Sequence, residues 1–212
     1  MALLAVLAVA LPAAAAVPPT RQTGLHFPKD GWLRISVGVQ DIIPPGYGER
    51  LTSGFATSVL IRVAVFRADG GAPVAQAFRH SQIVYDLWEE KFRVTQLDGG
   101  GAPRDLPASG LPEALALATT LVMFPVAEVG RLEAGVAYRL SFRADLNPLN
   151  PDAVAEVRRW LVRPPAQGRL GPGDTFFGSF VSIFVNPNIE DSERRIEFLS
   201  QPFVRPPAGQ AR

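Results

Sequence analysis

Hydrophobic and polar positions alternate with a period of two along much of the chain. Leu33, Ile35, Val37 and Val39 oppose Arg34, Ser36, Gly38 and Gln40. That is the pattern of a strand with one buried face. Val59, Ile61, Val63 and Val65 repeat it within 57–67, and Ile83, Tyr85 and Leu87 repeat it at the end of 74–87. Phe92 and Val94 lead a further strand up to Leu97. The clearest run is 136–146, where Val136, Tyr138, Leu140, Phe142, Ala144 and Leu146 oppose Ala137, Arg139, Ser141, Arg143 and Asp145. Its strictness predicts a sheet whose outer face sees water. A strand is also expected at 121–126. Another at 176–185, apolar on both faces, is expected to be covered on both sides. Ile196, Phe198 and Phe203 predict a last strand near the C-terminus.

Two segments change period. Pro112 opens PEALALATT, good helix formers with proline at the entry. Asn150-Pro151-Asp152 opens a second helix, with asparagine as cap and aspartate against the N-terminal dipole. Ala153, Val154, Val157, Trp160 and Leu161 form its stripe, and Pro164-Pro165 ends it. A short helical turn is expected at 49–54. Pro44-Pro45-Gly46, Asp69-Gly70-Gly71 and Asp98-Gly99-Gly100-Gly101 mark turns, and 99–112 and 163–174 read as long loops. About eight strands with two short helices, and no βαβ rhythm, predict a mainly β protein: an antiparallel β-sandwich with two short helical insertions. One such domain is expected over 30–204, after an extended lead-in at 17–29 and before a frayed tail at 205–212.

Composition narrows the class. Hydrophobic residues are 47% and charged ones 19%, which excludes an ordinary disordered chain. A net charge of +1 argues against a dedicated nucleic-acid binder. With Cys 0, disulfides, thiolate zinc sites and a cysteine nucleophile are excluded. Residues 1–16, MALLAVLAVALPAAAA, join an apolar run to small residues ending in Ala14-Ala15-Ala16. They read as a secretory signal cleaved after Ala16, with an uncleaved anchor or an ordinary N-terminal helix as the alternatives, although no Lys or Arg precedes the run. The expected location is periplasmic or secreted.

No recognised catalytic motif is present. His26 and His80 lack a second ligand at metal spacing and read as solvent-facing or locally bonded rings. Asp86, Glu89 and Glu90 surround Trp88 in YDLWEEKF; paired acids beside an aromatic could serve a glycan-directed hydrolase, and a turn with solvated acids is the plainer reading. Two oxygen-rich sets, Asp145, Asn147, Asn150, Asp152 and Asn186, Asn188, Glu190, Asp191, could hold calcium in an adhesion module but lack fixed spacing. Turn and capping chemistry explains them equally. Arg34, Arg62, Arg93, Arg139 and Arg143 fall on outward strand positions and would make a basic face for an anionic partner if they align on one sheet. Cross-strand pairing with acids is the ordinary alternative, in a chain with 19 Arg and 2 Lys. Trp32, Trp88 and Trp160 read as core or core-edge residues.

The order of pieces resembles a known family. Asp30-Gly31-Trp32 leads into the first strand, a turn at 51–54 precedes a long apolar strand, and Tyr85-x-Leu87 runs into Phe92-Arg93-Val94. Ala114-Leu115 sits in a short helix, followed by Leu132, Gly135, Tyr138 and Arg143-x-x-Leu146. Over roughly residues 30–150 this resembles uncharacterised proteobacterial exported proteins, a domain of unknown function often encoded near a two-component sensor kinase. The resemblance implies an envelope location and a part in sensing or envelope maintenance, and no catalytic residues. The expectation is a non-enzymatic, exported binding module without cofactor or metal. Its partner would be an envelope protein or anionic polymer docked on an edge strand or the arginine face, with peripheral membrane contact as a further option and no nucleic acid.

Overall fold

A computed structural model describes residues 18–99, 101–148 and 192–207. The expected signal at 1–16, the helix from Asn150, the loop 163–174 and the strand 176–185 lie outside those residues. The described strands are β1 (Thr20–Arg21), β2 (Gly24–His26), β3 (Trp32–Gly38), β4 (Thr57–Arg67), β5 (Ala75–Asp86) and β6 (Lys91–Asp98). They continue with β7 (Arg104–Ala108), β8 (Thr120–Glu128), β9 (Ala137–Pro148), β10 (Ser192–Ser200) and β11 (Phe203–Val204). The helices are α1 (Gly48–Leu51) and α2 (Leu111–Thr119).

Among the described residues the strands form two sheets, one of eight and one of three. The larger runs β1-β10-β9-β4-β5-β6-β7, with β11 also on β9; the smaller runs β2-β3-β8. Every described pairing is antiparallel except β1 with β10. The expected mainly β sandwich with helical insertions is the architecture found.

Register follows from the alternation. Val59, Ile61, Val63 and Val65 of β4 stand opposite Leu146, Ala144, Phe142 and Leu140 of β9. A slip of one residue would turn all of them outward. Phe198 of β10 continues the layer and stacks on Phe142 at 4.6 Å and 11°. Leu33, Ile35 and Val37 of β3 and Leu121, Phe124 and Val126 of β8 close the same core from the small sheet. Helix α2 lies against β5, β6 and β7, burying Ala114 and Ala118. Its start is held by Glu113, whose carboxylate accepts from the Ser109 backbone N–H at 2.8 Å and its hydroxyl at 2.5 Å.

Three expectations are corrected. The lead-in is not merely extended: β1 and β2 within it pair with β10 and β3. These segments are two and three residues long and carry no periodicity, so only their partners make them strands. The 99–112 loop contains β7, which pairs with β6 despite its proline. Nor is the outer face of β4 and β9 generally solvated, since Leu60, Arg62, Ala64, Arg143 and Asp145 are all buried there.

Candidate functional site

The outward positions of the large sheet collect charge. On β4, β9 and β10, Arg62 stands opposite Arg143, and Arg143 opposite Glu197. One rung along, Leu60 stands opposite Asp145, and Asp145 opposite Arg195. Asp145 is the hub. Its Oδ2 accepts from Arg62 Nη2 and from Arg143 Nε at 3.2 Å. Its Oδ1 accepts from Arg195 Nε at 2.7 Å and Ser192 Oγ at 3.2 Å. Arg62, Arg143 and Asp145 are 7%, 6% and 1% exposed. Burial pushes the Asp145 carboxyl up, but Arg62, Arg195 and Arg143 outweigh it and hold the group below the ordinary carboxylate range. Burial, then repulsion from Arg62, pulls Arg143 below the usual guanidinium value.

The five arginines of the expected basic face are therefore divided. Arg34 lies on the small sheet, bonded to Asp30 at 2.7 and 3.1 Å and donating to the Met123 carbonyl at 3.2 Å. Arg62, Arg93, Arg139 and Arg143 do share the outer face of the large sheet. Arg62 and Arg143 are buried on Asp145, however, so of these four only Arg93 is exposed, and Arg139 is partly covered. A macromolecular partner does not meet five solvated guanidiniums.

The cluster continues to the sheet's end. Asn147, at φ +44°, donates from Nδ2 to the Tyr47 hydroxyl and to Glu193, both at 2.8 Å, while its Oδ1 accepts from the Ser58 N–H. Tyr47 donates to Glu193 at 3.0 Å. Burial and then Glu193 raise the Tyr47 hydroxyl above its ordinary value. Asp145 and Asn147, offered above as calcium ligands, are thus spent on guanidiniums and amide bonds. Among the described residues no group of three His, Cys, Asp or Glu could hold a metal. Asn150, Asp152 and the whole 186–191 set lie outside them.

At the same end of the sheet, β5 turns into β6. Asp86 Oδ1 accepts from the backbone N–H groups of Trp88 at 2.9 Å and Glu89 at 3.0 Å, an Asx turn. Those two bonds hold the Asp86 carboxyl below the usual range. A glycosidase acid needs the opposite displacement. Asp86, Glu89, Lys91, Arg93 and Asp105 border a cavity of about 130 Å³, with Phe92 and Pro107 also lining it. That is smaller than the roughly 300 Å³ at which ligand pockets begin.

Trp88 departs most from expectation. It is 97% exposed rather than core, and it stands at the hairpin tip beside Leu87 (60%), with Phe55 (78%) in the α1–β4 loop. Gly54, at φ +81°, lies so close that a Cβ there would come within 3.1 Å of Leu87. The α1–β4 loop and the hairpin therefore meet, and Phe55 follows directly on Gly54. The signal for this patch was present in YDLWEEKF, but hydrophobicity alone cannot say that a tryptophan faces water. Trp32 lies at the edge, 38% exposed, and Trp160 is outside the described residues.

His26 shares a hydrogen bond with Ser36 Oγ at 3.1 Å on the small sheet, and Ser36 also accepts from the Met123 N–H. This is the locally bonded imidazole expected. His80 sits in the middle of β5.

Among the described residues, the strands at the sheet edges offer little to a docking strand. β1 and β2 are two and three residues long, β7 carries Pro107 and β8 carries Pro125. Short strands and proline both blunt an edge. Among the described residues no helix is long and apolar enough to cross a membrane.

A family model described as a domain of unknown function, DUF4390, matches residues 22–150. No curated protein and no solved structure matches the chain.

Proposed function

The chain belongs to the DUF4390 family, a domain of unknown function, and from that premise we propose that it is an exported, non-enzymatic binding module of the bacterial envelope. The contact is made by the apolar end of the large sheet, not by a strand edge or the arginine face. One observation carries this: Trp88 stands in solvent on a turn already locked by Asp86. A tryptophan held in one backbone geometry loses little entropy on docking, and such residues dominate binding energy at interfaces. The apolar N-terminal segment supports export. The partner is an envelope protein.

Pull-down from envelope extract tests the reading. The full chain is compared with Trp88→Ala and with Arg93→Glu plus Arg139→Glu. Loss of specific partners with Trp88→Ala and retention with the arginine variant is the expected result. Identical partners and recovery for the parent and Trp88→Ala would remove the proposal.

A further inference from the structure

We propose that the partner met by this end is a different protein, one that offers an apolar pocket with a basic rim. This rests on reading Phe55, Leu87 and Trp88 as the contact and adds what the other side must look like. Charge decides among the possible occupants. Glu89 and Glu90 follow Trp88 directly, and Asp86, Glu89 and Asp105 border the adjoining cavity with Lys91 and Arg93. Around the tip there are four acids and two cations, so the rim is acidic.

Burying Trp88 in a bilayer interface would carry Glu89 and Glu90 against lipid phosphates and the negative surface potential of the leaflet. Tryptophan alone suits that interface, but its neighbours do not. A two-fold contact with a second copy would set Glu89 and Glu90 close to their own equivalents, and like charges across an interface cost several kcal/mol. A basic partner surface removes both objections. Its apolar pocket takes Trp88, and one of its cations faces the carboxylates of Asp86, Glu89 and Asp105. Lys91 and Arg93 act on Asp86 through space but make no ion pair within 4.0 Å among the described residues, so no cation of this chain closes off those carboxylates by contact.

The test uses the full chain carrying benzoylphenylalanine at position 87, irradiated in the bacterium that expresses it. The protein recovered in the adduct is purified and titrated against the parent, Trp88→Ala and Glu89→Lys plus Glu90→Lys. All three positions are exposed, and unchanged melting temperatures verify the fold. Trp88→Ala is expected to weaken binding at least about 30-fold, as a hot spot of 2 kcal/mol implies. The charge reversal is expected to weaken it about tenfold, and parent affinity should fall as salt rises. If the reversal binds as well as the parent while Trp88→Ala is weak, the basic rim is wrong and the tip survives as the contact. Equal binding by parent and Trp88→Ala overturns both. An adduct with a second copy, no protein adduct, or Trp88-dependent sedimentation with phosphatidylglycerol vesicles overturns the partner assigned here.

Discussion

Asp145 shows how much one side chain can hold at the residue scale. Two of its three guanidinium partners, like Asp145 itself, are more than nine-tenths buried, and a buried charge that loses its partner is costly. Asp145→Asn keeps the shape and removes the charge that Arg62, Arg143 and Arg195 face. It is expected to destabilise the fold by about 3–5 kcal/mol, read from urea unfolding. The pH dependence has a definite sign. The folded carboxyl lies below its unfolded value, near 3.9. Its contribution is therefore complete above that value and is lost as pH falls below about 4 toward the folded pKa. The parent melting temperature should drop over that range, and the drop should be shallower in Asp145→Asn. Alternation assigned Asp145 to the outer face correctly. It could not say that this face is covered, because a period reports direction and not what lies beyond.

At the scale of elements, the long strands were legible and the short ones were not. β4 and β9 each carry enough alternating Val, Ile, Leu and Phe to specify their register, and α2 begins where Pro112 suggests. β1, β2 and β7 have no such signature. They become strands because β10, β3 and β6 present unpaired backbone groups beside them, and hydrogen bonding to those groups is a tertiary event. Phe142 and Phe198 join β9 to β10 across a long sequence separation. Phe142→Ala is expected to cost about 3–5 kcal/mol, and a double-mutant cycle with Phe198→Ala should return a coupling of about 0.5–1.5 kcal/mol. Additive losses would show that the stacking adds nothing beyond burial. Among the described residues β7 is an edge strand, and its proline guards that edge. Replacing Pro107 by Thr restores an N–H, and concentration-dependent association should rise, measured by light scattering.

At the scale of the whole molecule, the described residues close two sheets on one core, with polar rungs behind the larger sheet and an apolar point at one end. If it is exported as proposed, the protein recovered from the envelope starts at Val17; intact-mass measurement showing a retained Met1 would count against cleavage after Ala16. The amino-acid sequence by itself determined the class of fold, the faces of the long strands, the position of α2 and the absence of cysteine chemistry. Each of these follows from local spacing or composition. Tertiary structure alone decided which strands neighbour each other, that Arg62, Arg143 and Arg195 converge on Asp145, and that Trp88 stands in water. Those outcomes depend on residues far apart in the chain, and on whether another part of it lies over a given face. No local pattern encodes either.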